Sequence, residues 1–147
     1  MVVMDILGAG AKARNIYDRS CRALCKQYGI NQTGLDVIMF LACNPEKNTA
    51  RDICNHRGFK SGLTSVVLEQ LLEKGYLDRT EDPWDGRVKR LRLTEAAEPI
   101  VAEGKILQED FMAKLSNGID QAEFKKFWSM IDCIIENIEE MDKQSNR

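Results

Sequence analysis

The amino-acid sequence predicts a mainly α-helical chain that carries one small β-hairpin. Apolar residues recur at helical spacing over most of its 147 residues, and a single stretch between residues 76 and 93 alternates around a cluster of turn formers. Capping and breaking residues stand between the helical segments, so the helices have defined ends. The composition agrees: 44% hydrophobic and 30% charged residues suffice for a core and a solvated surface, and three Pro and ten Gly exclude collagen-like and low-complexity classes.

The first helix is expected over about residues 4–29. Ile6, Ala9, Ala13, Ile16, Tyr17, Cys21, Leu24 and Tyr28 share one face, and Lys12, Arg14, Asp18, Arg19, Arg22 and Lys26 lie between them. Gly29-Ile-Asn-Gln ends it. Thr33 is expected to cap a short helix through Cys43, which Asn44-Pro45 stops. Thr49 with Asp52 has capping-box spacing and opens a helix of barely two turns, ended by Gly58. Ser61 is expected to cap the next, whose inward positions read Thr64, Val67, Leu68 and Leu71 and whose exit is Lys74-Gly75. Two short helices joined by a Gly-containing turn make a helix-turn-helix.

Tyr76–Thr80 and Val88–Leu93 are expected to pair as strands around the turn residues 81–86. Thr94 is a good cap for a helix reaching about Leu115, and Ser116-Asn-Gly118 breaks it. The last helix repeats Phe124, Phe127, Trp128, Ile131, Ile135 and Ile138, with Ile134 and Met141 widening the stripe. The organisation that results is one domain spanning 1–147. A winged helix-turn-helix core occupies about 33–94, and flanking N- and C-terminal helices occupy about 4–29 and 95–144. A core of that size has no partner for Ile6 on the first helix or for the row Phe124, Phe127, Trp128, Ile131 and Ile135. A second copy of the chain is expected to cover these dimerisation residues.

The net charge of −2 hides an uneven distribution: residues 1–50 and 51–94 each carry +2, and residues 95–147 carry −6. With a screening length of ~8–10 Å a surface is read patch by patch, so a basic face can exist on an acidic chain. The sharpest patch is Arg87-Val-Lys-Arg-Leu-Arg92. No apolar run reaches the ~18–20 residues of a membrane helix, and the first ten residues lack the pattern of a signal peptide, so a cytoplasmic chain with no membrane partner is expected. Five cysteines without a CxxC pair fit reduced thiols. One histidine, His56, without clustered cysteines offers no metal site. No nucleophile–base pair, P-loop or dinucleotide turn is present, so neither an enzyme nor a cofactor is expected.

Leu71-Leu-Glu-Lys-Gly-Tyr-Leu77, Arg79, Asp82-Pro-Trp-Asp-Gly-Arg87 and Leu91-Arg-Leu-Thr94 together resemble the MarR family of transcriptional regulators. Asp85, Arg87, Leu93 and Thr94 fall in register with the family's wing motif. The motif-bearing core covers about residues 49–94, and the flanking helices agree in number and length.

The resemblance implies a homodimer on a pseudo-palindromic double-stranded DNA operator, acting as a repressor that a small aromatic or anionic molecule relieves. It places Lys60, Ser61, Gly62, Leu63, Ser65 and Val66 toward the major groove and Arg87 in the minor groove, with Asp85 holding it. Lys89, Arg90 and Arg92 would lie at phosphates. No Arg or Gln stands on that helix face, so the operator is expected to lean to A·T and to be read by shape and thymine methyls.

Two readings stay open for Leu63 and Val66, as groove contacts or as core. Two stay open for Arg14, Tyr17 and Met39: an effector cleft, or, for Tyr17 and Met39, plain core packing. Some relatives sense peroxide through a cysteine on the first helix, which makes Cys21 and Cys25 either redox sensors or buried inert thiols. Cys43, Cys54 and Cys133 are read as packed on apolar faces. The alternative for the whole chain is a winged helix that binds a protein.

Overall fold

The computed structural model describes residues 2–145. In chain order the elements are α1 (Val3–Tyr28), α2 (Gln32–Cys43), α3 (Ala50–Arg57), α4 (Ser61–Glu73), β1 (Leu77–Glu81), β2 (Lys89–Leu93), a short 3₁₀ turn (Glu95–Ala97), α5 (Glu98–Leu115) and α6 (Gln121–Ser145). The winged helix-turn-helix architecture with helical flanks is the one the sequence predicts. The chain divides into two compact units, the first ending at Glu109 and the second beginning at Asp110.

In the first unit α2 is the axis. Every residue from Gly34 to Leu41 is buried, as expected of a helix that is apolar all round and packs on all sides. Cys21, Leu24 and Cys25 of α1, Ile53 of α3, Val67, Leu68 and Leu71 of α4, Leu77 and Leu91 of the hairpin and Ile100 of α5 complete one continuous core with it.

One charged residue sits inside. Asp36 is only 3% exposed, and its carboxylate accepts hydrogen bonds from Arg14 of α1 and, at 3.1 Å, from Gln32 Nε2. Arg57 of α3 lies 3.5 Å away. Arg14 also reaches Asp18 at 2.8 Å, so it bridges two carboxylates.

Two helix starts differ from the sequence reading. Asn31, not Thr33, caps α2: its Oδ1 accepts the Gly34 N–H at 2.7 Å, which sets the helix start two residues earlier. Lys60, not Ser61, occupies the cap position of α4; Ser61 is already helical, and no side chain caps this helix. The expected box at Thr49 and Asp52 is present in both directions, at 3.1 and 3.0 Å.

Gly58 ends α3 at φ +64° and Gly75 follows α4 at φ +75°, left-handed conformations that disfavour a Cβ. After Gly75 the Tyr76 N–H closes back on the Leu71 carbonyl at 3.0 Å, and the chain enters β1 directly.

β1 and β2 pair antiparallel in the register Leu77↔Leu93, Arg79↔Leu91 and Glu81↔Lys89. Leu77 and Leu91 turn into the core, and charges outside pair across the strands: Lys89 with Glu81 at 2.5 Å and Arg92 with Asp78 at 3.6 Å. In the second unit Asp120 caps α6 through the amides of Ala122 and Glu123 at 2.9 and 3.2 Å. No residue of α6 is buried. Phe124 and Phe127 stack and Trp128 meets both edge-on, with ring centroids 5.8–6.2 Å apart.

α5 approaches α2 through Gly104. A Cβ built there would stand 2.5 Å from the sulfur of buried Met39. Gly104→Val should therefore lower urea stability by about 1–3 kcal/mol, the usual cost of overpacking. Combined with Met39→Ala, the total loss should be smaller than the sum of the two single losses, because the second change opens the space the first one needs.

Burial also pushes the Tyr17 hydroxyl up to about 12 and the Cys25 thiol up to about 11. The unfolded chain releases these protons first, so stability should be full below pH 9 and decline as pH rises through 11 to 12. Cys25→Ala should flatten the part of that slope nearest pH 9–10 in denaturation midpoints taken across the range.

Candidate nucleic-acid interface

Two surfaces of the winged helix-turn-helix carry the residues that the sequence singles out. The first is the exposed face of α4. Lys60, Ser61, Gly62, Leu63, Ser65 and Val66 are all exposed, while Thr64, Val67, Leu68 and Leu71 turn inward at i, i+3, i+4 and i+7. Leu63 is 48% exposed and Val66 56%, so the core reading of these two fails: the core ends at their neighbours. Thr64 is held inside by the Lys60 carbonyl and by the Cys54 thiol, each at 3.2 Å, which locks α4 on α3. The Ser65 hydroxyl donates to the Ser61 carbonyl at 3.0 Å, which leaves its oxygen as an acceptor.

The second surface is the hairpin tip. Residues 82–88 form it, closed by the Asp82 N–H on the Val88 carbonyl and the Val88 N–H on the Asp85 carbonyl, both at 2.9 Å. Arg87 stands at its end with a side chain 93% exposed. Asp85 Oδ1 accepts both the Arg87 backbone N–H at 3.1 Å and its Nε at 3.2 Å, so the guanidinium is oriented while its two terminal nitrogens stay outward.

Behind the tip, Asp82 organises the turn. One carboxylate oxygen takes the N–H groups of Trp84 and Asp85 at 2.9 and 3.1 Å. The other takes Arg90 Nε at 2.8 Å and Nη2 at 2.7 Å. The Trp84 amide and the Arg90 guanidinium hold the Asp82 carboxyl below its ordinary value. Arg90 also reaches Asn48 Oδ1 at 3.2 Å, and the Asn48 carbonyl accepts the Leu91 N–H at 2.8 Å. Arg90 is thus committed to the wing's own frame, whereas Arg92 is 78% exposed beside Asp78. Lys89 bonds Glu81 and, at 3.1 Å, the Gly86 carbonyl.

Asn48 and Asp82 are the residues that sequence reasoning missed. Asp82 read only as a turn former, and Asn48 carried no pattern at all. An Asp two and three residues ahead of unpaired amides in a tight turn is the one signal that pointed to Asp82.

Arg14, Tyr17 and Met39 are each engaged within the first unit. Arg14 is spent on Asp36 and Asp18. Tyr17 is half-buried with its hydroxyl 3.3 Å from Gln108, and Met39 is 4% exposed against Gly104. The packing explanation holds for the last two. A groove of about 990 Å³ lies elsewhere in the first unit, at the root of the hairpin, among Arg92, Thr94, Glu95, Val101 and Lys105.

Cys21 and Cys25 are both buried, and burial disfavours the Cys25 thiolate that peroxide chemistry requires. Cys43 and Cys133 depart from expectation, since both are exposed: the last turn of α2 leaves the core after Leu41, and α6 buries nothing in the single chain. Among the described residues no group of three or more His, Cys, Asp or Glu side chains is placed to hold a metal, and no helix is long and apolar enough to cross a membrane.

Residues 28–88, which run from the end of α1 through the tip Arg87, match the model of the MarR family. The fold is shared with solved structures of low sequence identity. A MarR transcriptional regulator from Methanosarcina mazei Go1 is 19% identical with a TM-score of 0.79, the match covering 92% of this chain and 97% of that one. The transcription regulator MarR from Oenococcus oeni PSU-1 is 24% identical with a TM-score of 0.69, covering 88% and 98%. A Listeria monocytogenes protein assigned to the same family, and crystallised with a 26mer DNA, is 15% identical with a TM-score of 0.81, covering 95% and 91%. The family match falls on α2, α3, α4, β1 and the hairpin tip, where the capped turn and the anchored arginine were found, and over that stretch the chain, a winged helix-turn-helix in fold, is similar to the MarR family.

Proposed function

We propose that the chain is a homodimeric, sequence-selective DNA-binding transcriptional regulator that acts in the cytoplasm as a repressor. The observation that carries this reading is the wing tip, where an arginine is held out into solvent by an aspartate two residues before it. A minor groove is narrow and strongly negative where the sequence is A·T-rich, and it attracts a pre-oriented guanidinium.

The exposed face of α4 suits the major groove. Leu63 and Val66 fit thymine methyls, and Lys60 with the uncapped amides at the helix start suits phosphate or guanine. Arg92 and Lys89 add phosphate contacts, and Arg90 and Asp82 keep the wing in shape for them.

The dimer is supported by the apolar faces left in water. Ile6 is 59% exposed, and Phe127, Trp128, Ile135 and Ile138 are 40–58% exposed, a row that a soluble chain covers with a partner. Two reading heads related by a twofold axis ask for half-sites about one helical turn apart, ~34–36 Å. Relief of repression by a small aromatic or anionic molecule belongs to the same reading. Such a molecule must favour a head spacing that DNA does not accept, since equal affinity for both spacings shifts nothing. The groove beside Thr94 supports it, because Thr94 joins the wing to α5 and donates to the Gly75 carbonyl at 2.5 Å.

Selection from a random duplex pool should return an inverted repeat with A·T-rich half-sites; a G-rich consensus would contradict the readout assigned to α4. On the selected duplex, affinity should fall steeply with salt, and Arg87→Ala should weaken it by ~1–3 kcal/mol and reduce the salt slope by about one. Binding that ignores both salt and Arg87, or none at all, would leave the head as a protein-binding module.

A further inference from the structure

A second large side chain extends from the wing tip beside Arg87. Trp84 is 94% exposed, whereas Trp128 of α6 is 40% exposed. Its backbone is nevertheless fixed. Pro83 precedes it, its N–H is taken by Asp82 Oδ1 at 2.9 Å, and the same carboxylate is gripped by Arg90. An indole therefore projects from an anchored turn three residues before Arg87.

Nothing in the turn's own hydrogen bonding needs an aromatic there, because Asp82 would hold the amide of any residue at position 84. A large apolar side chain kept in water on a rigid support marks a contact surface. Charge narrows the occupant. Asp82 and Asp85 are each paired with an arginine, and the cation left outermost at the tip is Arg87, so the surroundings of the indole suit a polyanion with apolar walls.

We propose that Trp84 is a second DNA-contacting residue of the wing, packing its ring against the deoxyribose wall of the minor groove that Arg87 enters; this rests on the reading that the head binds duplex. Sugar C–H groups offer an apolar surface that is the same at every base pair. The contact releases no counterions, so it adds affinity without adding salt dependence, in contrast to the contact made by Arg87. It also favours a groove narrow enough for the opposite wall to close on the tip, the same preference that Arg87 carries.

The test measures wild type, Trp84→Ala, Trp84→Phe and Arg87→Ala on the duplex selected from the random pool, over a series of salt concentrations, with thermal unfolding as a control of fold. Trp84→Ala should bind about tenfold more weakly at every salt concentration with a slope parallel to wild type and an unchanged melting temperature. Trp84→Phe should recover most of the affinity, and the change in tryptophan emission that accompanies wild-type binding should vanish in it although Trp128 remains. Unchanged affinity in Trp84→Ala overturns the proposal. So does a slope that falls together with the affinity, since Trp84 would then act only by holding Arg87. Failure of the wild-type chain to bind duplex at all is a different result, and it removes the function on which the proposal stands.

Discussion

A carboxylate in the middle of the most buried helix constrains the rest of the first unit. Asp36 is 3% exposed on a helix whose neighbours from Gly34 to Leu41 are all buried. Taking a charge out of water costs several kcal/mol unless partners reach it, and stripping one partner from a buried pair typically costs ~3–5 kcal/mol. The partners come from three places: Arg14 from α1, Gln32 from α2 itself and Arg57 from the end of α3. The need to satisfy one side chain thus fixes α1 and the helix-turn-helix against the same axis. Arg57 is also 5.9 Å over the ring of Phe59, one residue before the cap position of α4, so the approach to α4 is tied into the same network.

The wing repeats this logic at the surface. Asp82 is a carboxylate with four donors, two from the backbone of the turn and two from one arginine, and Arg90 in turn reaches Asn48. Hydrogen bonds to a charged group are shorter and stronger than neutral ones, and bidentate arginine adds direction. The tip is anchored by a network in which every charge has a partner, and only Arg87 and Trp84 are left extended. In the proposed complex, affinity from charge and affinity from shape would be carried by different side chains of one turn.

The division between what the residues reveal and what they hide follows the range of the interaction. Helix positions were legible because burial is periodic: the inward set Thr64, Val67, Leu68 and Leu71 is the buried set of α4. The break at Gly58 and the hairpin were legible because φ and alternation are local. Competing local options misled, as at Thr33 and Asn31, where either oxygen could cap and the longer reach of the helix favours the earlier residue. Long-range partners left no trace. Arg14 and Asp36 are 22 residues apart, Arg90 and Asn48 are 42 apart, and no periodicity encodes either pair. Met39 and Gly104 carried the same problem in apolar form: a glycine within a helix signals only missing contact area until the side chain that fills it is known.

The second unit holds the uncovered apolar face on which the proposed dimer rests. Hydrophobic burial is worth roughly 25 cal/mol per Å², so a helix of 25 residues with no buried position forgoes most of what tertiary packing gives a helix. Its Phe124, Phe127 and Trp128 satisfy one another only in part. Residues 95–147, which include this helix, carry the acidic excess of −6, a field that disfavours approach of another polyanion. In the proposed regulator the two parts would have opposite tasks, the exposed apolar row of α6 meeting its own copy and the cationic tip meeting a polyanion. In the proposed regulator this asymmetry would turn the cationic tip, and not the acidic end, toward DNA before any base is read.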